Sequence, residues 1–286
     1  MEEAFVSVVI PTYNRAAALE RAVRSVLEQT YSALEVIVVD DGSTDNTRQV
    51  VESIRDPRLH YLWQRNCGAC AARNYGALHA KGEYIAFHDS DDIWHPDKLE
   101  KQMAAMQARH ADIIVCKMAM HRPGGRVTLY PKRIRQGFVA AQDDLFGIGT
   151  QTIVARAEVL AQEPFYTDLP RYQDLEWIYR ARQKFTIYYL DEPLVDYRIG
   201  SDSISKSPEK MYRALVLMRE LHPNIRTQCP ALAMHMARDL LTGWQQVLKK
   251  SPKDSGKYLK LMRAYYPGIL HYLCSRAGKG KGRNPA

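Results

Sequence analysis

Four times within its first ninety residues the chain runs from a short apolar stretch, through a polar cluster, towards an amphipathic segment. Residues 6–10 (VSVVI) form a continuous β-branched run of the kind buried on both faces of a parallel sheet, and Pro11-Thr12-Tyr13-Asn14 ends it. Residues 16–29 then place Leu19, Val23, Val26 and Leu27 at helical spacing. Residues 36–39 are a second buried strand, closed by Asp40-Asp41-Gly42-Ser43, after which Thr44 or Asp45 can cap a helix carrying Val50, Val51 and Ile54. Residues 59–63 read as a third strand, 69–80 as a third helix and 84–87 as a fourth strand. Such alternation predicts an α/β fold, a doubly wound, mostly parallel sheet flanked by helices with right-handed crossovers. Ligands in sheets of this kind sit at the carboxyl ends of the strands. Those ends carry residues 11–14, 40–43 and Asp89-Ser90-Asp91-Asp92, so the three polar clusters are expected to face one crevice.

The third cluster is the most informative. Three carboxylates between a strand and a helix, the latter opened by Pro96 and Asp97, repel one another unless a counter-charge is present. A hard divalent cation bridged to phosphate oxygens relieves that repulsion. No G-x-G-x-x-G or G-x-x-x-x-G-K-[ST] loop follows the first strand, so phosphate is expected to be held by metal and side chains rather than by a glycine cradle.

With 286 residues the chain can bury a sizeable core. No run of eighteen apolar residues occurs, and the opening, with Glu2 and Glu3 before a short apolar run, is not that of a secretory leader. Five cysteines in such a chain imply reduced thiols and a cytoplasmic setting. The Cys67-x-x-Cys70 pair has no second pair at zinc-site spacing and reads as two small fillers in a loop. The net charge of +8 is uneven: residues 203–286 hold 16 Lys/Arg against 4 Asp/Glu, residues 1–202 hold 24 against 28. Nucleic acid and anionic membrane are the ordinary partners of so basic a segment.

PTYNR at 11–15, DDGSTD at 40–45, NCGACAARNYG at 66–76 and GEYIAFHDSDD at 82–92 together resemble the nucleotide-sugar half of a family 2 glycosyltransferase, a GT-A fold. The resemblance is close over 5–110 and looser to about 205. It implies that Pro11 and Tyr13 line a base and ribose pocket, and that Asp41 accepts a hydrogen bond from uracil or another base. It implies that Arg73 lies near the nucleotide, where a guanidinium suits anionic oxygens. Asp89 and Asp91 match the two carboxylates of the D-x-D motif, Asp89 near the ribose and Asp91 binding Mn²⁺ or Mg²⁺ through the donor diphosphate. In the segment FYTDLPRYQDLEWIYRAR, Asp174 matches the catalytic base, with Glu176 as the second choice. A physical argument points the same way: Leu175, Trp177 and Ile178 bury a helix start, leaving the preceding carboxylate at a helix N-terminus that favours its ionisation. The family's Y-R-x-H is here Tyr197-Arg198-Ile199-Gly200, so the histidine that approaches the metal is replaced by Gly200, with Asp202 nearby as a carboxylate.

The middle of the chain is less regular: a helix over 99–109, a strand over 112–116, a turn at 121–125 with a hairpin partner at 126–130, and a strand over 148–155. Beyond 205 the chain turns helical. Ser207-Pro208 opens a helix with Met211, Ala214, Leu215 and Met218 on one stripe; 231–248 carries Leu232, Met236, Leu240, Trp244 and Leu248; 258–266 is a shorter third. These helices are expected to dock on the catalytic domain, and Gly-rich, charged 277–286 to be disordered. The expected organisation is a nucleotide-sugar half (1–110), an acceptor half (111–205), a helical C-terminal extension (206–276) and a basic tail.

The function implied is inverting, metal-dependent transfer of a sugar from a nucleoside diphosphate donor, a UDP-hexose or UDP-N-acetylhexosamine, to a glycan or lipid-linked glycan of bacterial surface polysaccharide. The basic C-terminus is expected to meet anionic membrane at the inner face rather than nucleic acid, because it lacks the interleaved aromatics of single-strand binders. Two other readings remain at this stage. A sugar nucleotidyltransferase would carry a Gly/Arg/Lys-rich first loop, which PTYNR is not. A non-catalytic binding module with a basic tail for nucleic acid would not account for four nucleotide-sugar motifs.

Overall fold

The computed structural model describes residues 3–122, 124–198 and 207–267; Gly200, Asp202 and residues 277–286 lie outside them. The alternation read from the sequence is present. β1 (Val6–Thr12), α1 (Ala16–Leu27), β2 (Leu34–Asp40), α2 (Thr47–Ser53), β3 (Leu59–Trp63), α3 (Ala69–His79) and β4 (Tyr84–Phe87) follow one another. They are continued by β5 (Ile93–Trp94), α4 (Lys98–Arg109), β6 (Ile113–His121), β7 (Val127–Tyr130), β8 (Gly137–Phe138), β9 (Ile153–Arg156), α5 (Ala157–Gln162), α6 (Gln173–Ala181) and β10 (Ile187–Arg198). The strands form one sheet in the order β3-β2-β1-β4-β9-β6-β10-β5, with β7 on β6 and β8 on β10. Neighbours from β3 to β4 are parallel, as are β6 and β10; β9 joins the two sets by antiparallel pairing with both β4 and β6.

Every residue of β1 and β2 is buried, which explains why both read as unbroken apolar runs rather than as alternating ones. Val6, Val8 and Ile10 meet Leu19, Val23 and Val26 of α1 on one face, in a core that extends to Leu99, Met103 and Met106 of α4 against Ile114 and Cys116 of β6. On the opposite face α3 comes so close that a Cβ at Gly76 would stand 2.4 Å from Val9 Cγ1. The stretch expected as one strand over 148–155 begins instead as a 3₁₀ turn at Thr150–Thr152. There the Thr152 hydroxyl donates to the Gly149 carbonyl at 2.7 Å, a local bond that competes with the sheet ladder.

The chain divides into two compact units. The first holds the sheet and its helices. The second holds Ala141–Phe146, Leu169–Tyr172 and the C-terminal helices: α7 (Pro208–Leu221), α8 (Ile225–Gln228), α9 (Pro230–Lys250) and α10 (Pro252–Tyr265). Ser207 caps α7 as its sequence suggests, its Oγ accepting from Lys210 N–H. Helix α10 starts six residues earlier than the apolar spacing indicated, at a Pro in the first turn, and Leu248 is exposed rather than part of the buried stripe. Within this unit α9 holds both short segments: His235 Nε2 lies 2.7 Å from Asp144 with its ring stacked on Phe146, and the Tyr172 hydroxyl donates to Asp239. No helix among the described residues is long and apolar enough to cross a membrane.

Candidate active site

The ends of β1 and β2 are laced together by side chains. Asn14, at φ 51, accepts at Oδ1 from Thr44 N–H (2.8 Å) and donates its own N–H to Ser43 Oγ (2.9 Å). Asp40 accepts from Ser43 N–H at 2.8 Å and from the Tyr61 hydroxyl at 2.7 Å. Gly42 turns at φ 81, and a Cβ there would stand 3.0 Å from Asn66 N, so this corner requires glycine twice over. Asp41, buried, accepts from Gln64 Nε2, Cys67 N–H and Gly68 N–H at 2.6–2.8 Å. A carboxylate has about four lone-pair sites, so one acceptor position remains on Asp41. Beside it, Tyr13 stands 48% exposed, Pro11 is buried in β1 and the buried Thr12 Oγ1 has no partner. Cys67 is exposed ahead of α3 and Cys70 is buried within that helix, so the pair does not fill a loop together.

Arg73 is the hub of the other side. The residue is 6% exposed, and its guanidinium donates to Asp89 Oδ1 at 2.8 Å, to Thr150 Oγ1 at 3.2 Å and to Gln173 Oε1 at 3.3 Å. Its Nε is buried without an acceptor. The residue after it works as hard: Asn74 clamps Phe165 by donating to its carbonyl (2.8 Å) and accepting from its N–H (2.9 Å). Phe165 in turn stacks on Trp177 at 5.3 Å and meets Phe87 edge-on, so α3, β4 and α6 share one aromatic floor.

The acidic turn divides its three carboxylates. Asp89 is paired with Arg73. Asp92 is fully buried; its Oδ1 accepts from Arg198 N–H at 3.1 Å, its Oδ2 has no partner, and burial drives its pKa well up. Asp91 is partly exposed, and its pKa is raised by burial and then by the charge of Asp89. The turn is braced from below by Trp94, whose Nε1 donates to the Gln151 carbonyl at 3.1 Å. The Lys98 ammonium lies 3.7 Å from the Trp94 ring centre, and burial lowers its pKa to about 8. Among the described residues no three His, Cys, Asp or Glu side chains come together as a metal site. The donors present are hard oxygens, and Asp91 carries a charge that its surroundings penalise. That set fits a divalent cation shared with ligand oxygens, and does not fit a soft metal held by protein alone.

Asp174 lies in the first turn of α6, one residue from Gln173, and accepts from Leu175 N–H at 2.8 Å. The helix start and Arg73 do favour its charge, yet burial outweighs both and Asp89 adds to it, so its pKa is raised rather than lowered. Glu176 is buried and bound by Arg180, Nε to Oε1 at 2.9 Å, and Arg180 also grips Glu163. Thr150, Gln173 and Asn74 take part in this arrangement although sequence reasoning passed over them. The available signal was a polar Thr-Gln-Thr inside an otherwise apolar strand pattern.

One mixed sheet flanked by helices, with polar residues gathered at the ends of its parallel strands, is the GT-A architecture. Residues 7–165 match the family model described as "Glycosyl transferase family 2", and the chain belongs to that family and is a glycosyltransferase. It is 35% identical over 211 residues to the "Putative teichuronic acid biosynthesis glycosyltransferase TuaG" of Bacillus subtilis, covering 72% of this chain and 83% of that one. Among solved structures it resembles S. aureus TarS 1-349 in complex with UDP-GlcNAc, with a TM-score of 0.70 at 22% identity over 93% of this chain and 81% of that one. A mannosyltransferase from Pyrobaculum calidifontis, solved with GDP-Man and Mn²⁺, gives 0.62 at 18% identity over 98% and 87%. These two likenesses bear on the fold.

Proposed function

We propose that this glycosyltransferase inverts: it moves a hexose or N-acetylhexosamine from a UDP donor to a hydroxyl of a glycan or lipid-linked glycan in bacterial surface polysaccharide synthesis. The observation that carries the reading is Arg73, one buried guanidinium that ties Asp89, on the donor side, to Gln173 beside Asp174. The donor-side carboxylate and the helix start that carries the proposed base are thus tied through one residue, which supports the fixed spacing that a single in-line displacement needs. The relative named for teichuronic acid synthesis supports the acceptor class.

In this reading residues 1–110 bind the donor and 111–205 the acceptor. Tyr13 and Pro11 pack against base and ribose, and the remaining acceptor site on Asp41 takes an N–H of the base. Asp89, oriented by Arg73 and Thr150, holds the ribose. The unpartnered Arg73 Nε is a donor available to an anionic oxygen. Asp91 would hold Mn²⁺ or Mg²⁺, which when bound neutralises charge on the leaving diphosphate. Asp174 takes the proton from the acceptor hydroxyl as it attacks the anomeric carbon. Glu176 is excluded from that task in this reading because Arg180 occupies it. The basic C-terminal segment brings the enzyme to an anionic membrane surface at the inner face.

Incubation with UDP-sugars and an acceptor tests the reading. We expect UDP release that is abolished by chelator and restored by Mn²⁺ or Mg²⁺, and lost in Asp91→Asn. Full turnover in chelator, or turnover with GDP-sugars alone, would overturn the metal or the donor assignment respectively.

A further inference from the structure

Lys98 opens α4 with its side chain fully buried. No carboxylate pairs with it among the described residues, and burial works against its charge. It also stands at the positive end of a twelve-residue helix, where a cation is disfavoured. Stability does not explain an ammonium here, since apolar groups in place of buried ions are often neutral or stabilising. Its contacts do. The ammonium donates to Gln102 Oε1 at 2.5 Å and lies 3.7 Å from the centre of the Trp94 ring. These are the two side chains that hold the 3₁₀ turn at Thr150–Thr152: Gln102 Nε2 donates to the Thr152 carbonyl at 2.9 Å, and Trp94 Nε1 to the Gln151 carbonyl at 3.1 Å. An ammonium has donors and no acceptor, so the buried Gln102 amide must turn its oxygen to Lys98 and its NH₂ to the turn. At the other end of the turn, Thr150 Oγ1 accepts from Arg73 and donates to Asp89 Oδ1, both at 3.2 Å.

We infer that Lys98 and Gln102 are positioning residues for sugar transfer. One ammonium sets the amide and packs on the indole that together fix two successive carbonyls of the turn, and the turn then holds Thr150 against the Arg73–Asp89 pair. Both residues are fully buried, so they act through Thr150 and not on a ligand. The inference rests on the proposed function only in that Arg73 and Asp89 are counted in the donor site.

The test measures kcat for UDP release from the UDP-sugar that wild type turns over fastest, with the urea midpoint of each full-length variant beside it. Lys98→Met keeps the stem and removes the ammonium. Its kcat should fall about tenfold, towards the roughly 10²-fold that a 1 Å misplacement can cost. Its urea midpoint should hold, because relief of the buried charge offsets the acceptor left on Gln102. Gln102→Glu keeps a partner for Lys98 but sets an acceptor against the Thr152 carbonyl, and its kcat should fall to a similar degree. Thr150→Val removes the hydroxyl at the end of the line. Gln102→Glu/Thr150→Val should then lose no more than the worse single variant, since both changes act through the same contacts. Full kcat in both Lys98→Met and Gln102→Glu overturns the inference, as do losses that multiply in the double variant or that merely track a fall in the urea midpoint. If Thr150→Val alone is impaired, the proposed function stands and this inference fails. A Thr150→Val variant with wild-type turnover and UDP-sugar affinity would instead take Arg73 and Asp89 out of the donor site, overturning that reading and this inference together.

Discussion

Asp174 is a carboxyl whose surroundings work against its charge: burial and Asp89 raise its pKa, Leu175 N–H and Arg73 only partly compensate. In the proposed role of base it must be ionised, so the acid limb of the rate profile should lie above the ordinary carboxylate range. The same shift carries a sign for stability. A carboxyl with a raised folded-state pKa contributes stability below its unfolded pKa and loses it as pH rises through the folded value. Asp174→Asn should therefore cut turnover about 10²–10⁴-fold while leaving donor-induced thermal stabilisation in place. Above neutrality the variant should melt higher than wild type, and near pH 4 the difference should shrink. A variant that loses UDP-sugar affinity instead would move Asp174 to the donor side; one with full activity would remove it from the chemistry.

At the scale of elements, α3 is the piece whose placement decides the site, since it carries Arg73 and Asn74 and rests on β1 and β2 through Gly76. Gly76→Val would drive methyls into Val9 and Val39, where a single Cβ already falls at 2.4 and 3.0 Å. We expect a cost of about 1–3 kcal/mol, read from the urea midpoint, and a loss of donor affinity as the helix lifts. This part of the molecule was legible in advance because buried parallel strands announce themselves as unbroken β-branched runs, and each run here ended in polar residues. The acidic turn and the four motifs stood out for the same reason. What stayed hidden is non-local or competitive. Nothing in the spacing reveals that Arg73 reaches Gln173 a hundred positions on, or that Arg180 binds Glu176 and Glu163. The 3₁₀ turn at Thr150–Thr152 has the sequence of a strand, because hydroxyl-to-carbonyl bonding leaves no periodic trace. The raised pKa of Asp174 is hidden likewise, because a helix terminus shows in sequence and the burial around it does not.

For the whole molecule, the second unit is assembled from three separated stretches, and polar contacts to α9 join them. His235→Ala removes the imidazole from a carboxylate, Asp144, that is only 9% exposed, and strips the stacking from Phe146. The expected cost is about 1–3 kcal/mol, measured by chemical denaturation, with faster proteolysis at residues 141–146 than in wild type. A second consequence concerns synthesis. Asp144 and Tyr172 leave the ribosome 91 and 67 residues ahead of the α9 partners that hold them. At about 5–20 residues per second, that is a wait of roughly 3–18 s. During that interval the two segments have no helix to bind, so a chain stalled before α9 emerges presents them to chaperones, and slowing translation through residues 173–229 should lengthen that exposure.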